Sequence, residues 1–235
     1  MDSYIIEWLN LVVRWIHVIT GIAWIGASFF FNWLDSQITP PENPQPKVEG
    51  ELWMIHSGGF YQLEKTMISP SEIPRVLHWF KWEAYSTWIS GIFLLGIVYY
   101  TGSGVYLIDS EIADLSYGMA VSISLGTILV SWLIYDFIWA SALGEKGWIT
   151  GMISFLLLFG IIWWFHQWFG SRAAYIHVGA VMGTLMVGNV WWRIIPSQTK
   201  LVEAVKAGKT PEASLGIKAK QRSLHNNYMT LPVVF

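Results

Sequence analysis

The chain contains no cysteine in its 235 residues. Disulfides, thiolate metal sites, iron–sulfur clusters and c-type haem attached through Cys-x-x-Cys-His are therefore excluded, and any redox centre held here must use His, Met, Tyr or carboxylate. Charge is also scarce: 13% of the residues are Asp, Glu, Lys or Arg, against 54% hydrophobic ones. With a mean hydropathy of +0.43, that balance does not describe a water-soluble domain. No internal repeat of useful length is visible, which argues against a transporter built from inverted repeats. The first apolar run is too long for a signal peptide and no small-residue cleavage site follows it, so it reads as a retained helix.

What is abundant is apolar and aromatic. The 16 tryptophans and 10 tyrosines suit the headgroup level of a bilayer, where a ring with one polar atom is favoured. Crossing a hydrocarbon core takes about 20 residues. Five segments meet that length, at 8–31, 84–100, 117–140, 149–168 and 173–195, and a sixth apolar run begins at Met229. The expected fold is an all-α, polytopic transmembrane helix bundle forming one membrane domain over 1–235, with five complete spans and a sixth begun.

The basic residues set an orientation. Lys47, Lys65, Arg75, Lys81, Lys146, Lys200, Lys206, Lys209, Lys218, Lys220 and Arg222 all fall in the first, third and fifth connections, whereas the opposite side carries only Arg172. The positive-inside rule then puts the N-terminus outside and those connections in the cytoplasm. In the first connection, Pro40-Pro41-Glu42-Asn43-Pro44-Gln45-Pro46 is stiff and extended. The following segment, Glu51 to Lys65 around Gly58-Gly59, reads as two strands of a small cytoplasmic hairpin. The segment from Lys200 to Arg222 reads as a short amphipathic helix at the membrane surface, its lysines meeting anionic lipid.

Ionisable groups at membrane depth are costly and usually face the bundle interior. Arg14 and His17 share one helical face, three residues apart, in the outer half of the first span. His166 ends the fourth span, and Arg172 and His177 open the fifth. Two facing imidazoles, His17 and His177, are what axial ligation of a b-type haem iron requires, with Arg14 and Arg172 suited to its propionates and His166 as a further candidate. Interhelical hydrogen bonding by the same histidines is the plainer alternative.

A second polar group belongs to the cytoplasmic side: Asn32, Asp35, His56, Tyr61, Lys65, His78, Lys81, Glu83, Asp136, Asn189, Arg193, His225, Asn226 and Asn227. Asp136 stands out because Tyr135, Phe137, Ile138 and Trp139 surround it, and its expected partner is Arg193 or Lys81. Together these residues would make a polar cup closed by the hairpin.

Six motifs appear in order: Arg14-Trp15-x-His17 through Leu34-Asp35; His56-x-Gly58-Gly59-Phe60-Tyr61; His78-Trp79-Phe80-Lys81-Trp82-Glu83-Ala84-Tyr85; Tyr175-Ile176-His177-Val178-Gly179-Ala180; Ile194-Ile195-Pro196-x-Gln198; and His225-Asn226-Asn227-Tyr228-x-Thr230-Leu231-Pro232. Together they resemble the membrane domain of the bacterial membrane-bound urate oxidase (urate hydroxylase) family. The first motif alone is also similar to haem-binding membrane proteins related to copper-resistance permeases. The resemblance implies a multi-pass enzyme of purine breakdown in the bacterial inner membrane. It would oxidise urate to 5-hydroxyisourate and pass electrons to cytochrome c. The family's C-terminal helices and cytochrome c domain are not in this chain, which leaves either a fragment or a chain whose acceptor is a separate protein.

On that expectation His56, His78, Tyr61, Lys81, Glu83 and Asp136 do the urate chemistry, with His56 or His78 as base, and haem b on His17 and His177 carries electrons outward. The expected partners are urate, cytochrome c or another redox protein, and lipid, with no nucleic acid. A non-enzymatic haem-b electron-transfer subunit and a metal or small-solute permease are the rival readings.

Overall fold

The structure is a computed structural model and describes residues 3–43, 46–66, 73–74, 76–101 and 104–235; Pro44, Gln45 and Arg75 fall outside them. It is mostly helical, at 72%. In chain order the elements are α1 (Ser3–Gln37), the strands β1 (Val48–His56) and β2 (Gly59–Thr66), α2 (Trp82–Leu95), α3 (Tyr117–Ala140), α4 (Gly147–His166), α5 (Ser171–Gly188), α6 (Ile195–Lys206) and α7 (Ala213–Val234).

Among the described residues, four helices are long and apolar enough to cross a membrane: Tyr4–Gln37, Tyr117–Ala140, Gly147–His166 and Ser171–Lys206. They are compatible with a membrane protein, and their exposed Trp, Leu, Ile and Phe side chains then face lipid rather than water. The segment expected as a span at 84–100 is helical, but its regular α part ends at Leu95 and a π-helical turn, Gly96–Tyr100, completes it. The last long helix is continuous because a π turn, Asn189–Ile194, joins α5 to α6. The wider turn accommodates Pro196, which has no N–H to give and whose ring would crowd a regular helical carbonyl.

The C-terminal part departs from expectation. The basic stretch Lys200 to Arg222 is not one surface helix. Gly208 breaks it at φ +68, closing α6 with hydrogen bonds from Gly208 N–H to the Val205 carbonyl and from Lys209 N–H to the Ala204 carbonyl, both 2.9 Å, a Schellman ending. A new helix then starts at Ala213 and runs to Val234, so the apolar residues from Met229 continue a helix that begins well before them.

Burial divides the helices sharply. None of the apolar window of α1 is buried, whereas most of that of the α5–α6 helix is. One core cluster joins Leu95, Tyr99, Phe165, Phe169, Ala173 and Val181 around the start of α5, and another joins Trp132, Tyr135 and Trp139 along α3. Gly188 permits the second: a Cβ there would meet the Trp132 ring at 2.5 Å, so only a bare backbone lets α5 lie against that indole.

The hairpin is present as antiparallel β1 and β2. Ser57 and Gly58 form its turn, both at positive φ (50 and 78), as a two-residue type I′ connection requires. Its base is tied to the end of α1 by paired backbone bonds between Thr39 and Glu51 and by Lys65 on Asp35 at 3.2 Å. The tip, with His56 and Tyr61, stands exposed.

Candidate active site

Tertiary packing builds one buried polar network, on α3, the π turn after α5, and α7. Asp136 of α3 receives a two-pronged guanidinium: Arg193 Nε donates to Oδ1 at 2.7 Å and Arg193 Nη2 to Oδ2. Arg222 of α7 adds Nη2 to the same Oδ1 at 3.1 Å and to the Asp136 carbonyl at 3.4 Å. The Arg222 side chain is 4% exposed, against 18% for Asp136 and 40% for Arg193. Two guanidiniums therefore share one carboxylate, and the cluster retains a surplus positive charge at low dielectric.

The network continues through neutral groups. Arg222 Nη1 donates to Asn189 Oδ1 at 3.3 Å. The fully buried Asn189 spends both amide hydrogens, on the Tyr135 hydroxyl and on Asn226 Oδ1, each at 2.9 Å. Asn226 in turn donates to the Met186 carbonyl at 3.0 Å, so the amide capacity is used as buried polar groups demand. With Asn189 donating to it, the Tyr135 hydroxyl gives its own hydrogen to His225 Nδ1, 2.7 Å away. That assignment leaves the imidazole proton on Nε2. The His225 ring lies on Trp139, with centroids 4.0 Å apart, and the Arg222 guanidinium sits 5.0 Å over the Tyr135 ring. Helix α7 is not among the membrane-length apolar helices. Burial, and after it the Arg222 charge, pull its His225 down to about 4, so the imidazole is neutral at neutral pH.

Three consecutive residues of α7 thus meet three different helices. His225 meets α3 and Asn226 meets α5, while Asn227 accepts from Ser28 at 2.8 Å and donates to Asn32 at 2.7 Å, both on α1.

Of the six residues expected to act on substrate, only Asp136 belongs to this network, and its partner is Arg193, not Lys81. Lys81 instead lies 5.9 Å over the Trp82 ring. His78 and Glu83 form a pair of their own at the start of α2, 3.7 Å apart, and Glu83 Oε2 is buried without a hydrogen-bond partner. His56 and Tyr61 sit on the exposed end of the hairpin, which stands off the network instead of closing it. Arg222 and Tyr135 were missed. Arg222 sits in a lysine-rich stretch that reads as a lipid-facing surface, and Tyr135 reads as apolar packing until its hydroxyl partner is known.

The five residues expected to hold haem are not gathered. Arg14 donates to Asn10 one turn back at 3.0 Å, Arg172 lies 5.3 Å over the Tyr106 ring, and exposed His166 bonds the Ile162 carbonyl at 2.8 Å. His17 Nδ1 donates to the Thr87 carbonyl at 3.0 Å, beside Ser90 Oγ at 3.1 Å. Gly91 makes room for that ring, since a Cβ there would be 3.0 Å from His17 Cε1. His177 is fully buried among Tyr99, Phe165 and Phe169, with ring centroids at 5.2 to 5.5 Å. Its Nδ1 donates to the Ala173 carbonyl at 2.7 Å and its Nε2 has no partner. That is the polarity of a ligating imidazole, but aromatic rings occupy the space a macrocycle would need. Gly91 of α2, which touches His17, and Tyr99 of the π turn after it, which touches His177, lie roughly 12 Å apart along the helical path, whereas two axial nitrogens on one metal stand about 4 Å apart. A single haem bridged by His17 and His177 does not fit this arrangement.

Residues 3–235 match the family model described as urate oxidase N-terminal. The chain belongs to the urate oxidase N-terminal family. Membership supports a urate-oxidase-related function. No curated protein and no solved structure matches it.

Proposed function

We propose that this urate oxidase N-terminal chain is the membrane part of an oxidoreductase that converts urate to 5-hydroxyisourate and sends the electrons towards a periplasmic cytochrome c. In this reading it is a multi-pass protein of the bacterial inner membrane, with its N-terminus outside and the Asp136 end facing the cytoplasm. One observation carries the assignment of the site: Arg193 and Arg222 share the single carboxylate of Asp136, leaving one positive charge for an anion such as urate. Family membership supplies the identity of that anion.

The roles follow from the geometry. Arg193, the more exposed of the two guanidiniums, meets the incoming anion, and Arg222 holds Asp136 in place from the buried side. Preorganised charge of this kind stabilises negative charge that develops as the purine is deprotonated and attacked by water. Tyr135 and His225, hydrogen-bonded to each other, are the acid–base pair nearest the charge, and His78 on Glu83 is a second base at the cytoplasmic mouth. Written for the urate monoanion, urate and water give 5-hydroxyisourate, one proton and two electrons. The C5–O bond forms as the C4–C5 double bond is lost.

The test is turnover of the full chain in lipid nanodiscs with urate and ferricytochrome c. Loss of urate with two ferrocytochrome c formed per urate is the expected result. Arg193→Met should lower kcat/KM on the order of a hundredfold. Urate left unconsumed by a chain that is folded by circular dichroism would overturn the reading.

A further inference from the structure

Helices α3, α4, α5 and α7 line a cleft of about 1170 Å³ beside the network. It runs from Ser122 to Trp139 along α3, roughly 25 Å at the helical rise. Its walls are apolar, among them Val130, Ile134, Leu158 and Ile161, and none of its lining residues is Asp, Glu, Lys or Arg. A charged purine has no counterion there and stays with the arginines. A neutral lipophile is the matching occupant, because burying its chain against these walls is favourable and burying a charge would not be.

The cleft is not uniformly apolar. His225 and Tyr135 both line it, and they are the groups that end the hydrogen-bonded path from Asp136 through Arg222 and Asn189. With His225 Nδ1 accepting from Tyr135, the imidazole carries its proton on Nε2, and no protein group bonds that nitrogen among the described residues. A ring N–H donor with an indole beside it, at the side of a long and mostly apolar groove, fits a ring with carbonyl acceptors and a hydrocarbon tail.

We propose that the cleft is a binding site for an isoprenoid quinone. One ring carbonyl is held by His225 Nε2–H, and the quinone is the immediate acceptor of the electrons that later reach cytochrome c. This rests on the urate reading above. The step balances for the urate monoanion: urate, water, quinone and one proton from solvent give 5-hydroxyisourate and hydroquinone. The two electrons go to the quinone ring and the two protons to its two oxygens, one released by water as the C5–O bond forms and one taken from solvent. Tyr135, which donates to His225 Nδ1, re-protonates the imidazole as His225 Nε2–H passes its proton to the quinone oxygen.

The experiment uses the full chain in nanodiscs with a photoreactive azido-ubiquinone, mapped by mass spectrometry, and unlabelled decylubiquinone as competitor. Saturable labelling of α4 and α7 peptides facing the cleft is expected. Gly151 lines the cleft and a Cβ there meets nothing within 4 Å, so Gly151→Leu fits the protein yet fills the site. It should cut labelling at least tenfold with the helix content by circular dichroism unchanged. Labelling that decylubiquinone does not compete, or that Gly151→Leu leaves intact, overturns the site in favour of a lipid or another helix in the groove. Urate that reduces cytochrome c but not decylubiquinone overturns the quinone as acceptor and leaves the urate reading standing. Saturable, leucine-sensitive labelling with urate reducing neither acceptor upholds the site and overturns the urate reading.

Discussion

At the Asp136 end of the bundle, Asp136, Arg193, Arg222, Asn189, Asn226, Tyr135 and His225 reach one another from α3, the π turn and α7. At the other end, Arg14, His17, His166, Arg172 and His177 are not joined to one another: Arg14, His166 and His177 bond a carbonyl or amide one turn back on the same helix, His17 bonds Thr87 and Ser90 of α2, and Arg172 lies over Tyr106. Both ends began as comparable sets of ionisable residues in apolar helices. The difference lies in what a helix can do for its own side chains. An imidazole can donate to the carbonyl four residues before it and needs nothing further, whereas a carboxylate has no donor to bond along its own helix and must be met from outside. Linked polar networks therefore gather where a carboxylate is buried, and here that place is Asp136.

The largest effect that would break this contrast is at Asp136 itself. Asp136→Ala leaves Arg222 buried without its counterion, and the expected loss is about 3–5 kcal/mol, read as a fall in the thermal midpoint of the protein in nanodiscs. A change no larger than that of a surface substitution would mean that the arginines are solvated and the network is not a unit.

Tyr135→Phe is next. It removes a hydroxyl that both accepts from Asn189 and donates to His225, and about 1–3 kcal/mol should be lost because the Asn189 amide is left unsatisfied. His177→Leu sharpens the opposite end. The Nε2 of His177 is already unpartnered, so this substitution should change stability by less than Tyr135→Phe does. A larger loss, or the disappearance of a Soret band from the purified protein, would show that a group on His177 holds that end together.

Protonation gives a finer test. His225 sits at about 4 when folded against 6.5 unfolded, so between those values the unfolded chain binds more protons and stability falls as pH drops. The slope of stability against pH should be present in that window in wild type and flatter in His225→Gln, measured by chemical denaturation at stepped pH. The smallest effect belongs to the hairpin: Lys65→Ala removes an exposed pair with Asp35 and should cost no more than about 0.5 kcal/mol.

Much of the architecture was legible without coordinates, since long apolar runs interrupted by short polar segments leave few alternatives to membrane-length helices. The Gly58 turn fixed the hairpin for a similarly local reason. The helix starting at Ala213 was harder, because Lys218, Lys220 and Arg222 give it the look of a surface segment while Arg222 is in fact turned inward. Asp136 is legible from its apolar neighbours, and its partner narrows to Arg193 or Lys81 from their shared end of the bundle, with the choice of Arg193 left to the structure. His225, Asn226 and Asn227 were visible as a polar tripeptide, but nothing local says that each of its residues faces a different helix.

Composition and hydropathy, then, decided that this is a helical, membrane-compatible chain free of thiol chemistry, and ordered motifs decided its family. Those properties are set by residue type and spacing along one segment at a time. Which charges meet was decided only by the tertiary structure, because Asp136 and Arg222 lie 86 residues apart and are joined through the Gly208 break that lets α7 turn back onto α3 and α5. The same return of α7 placed His225 on Tyr135 and left the cleft beside it.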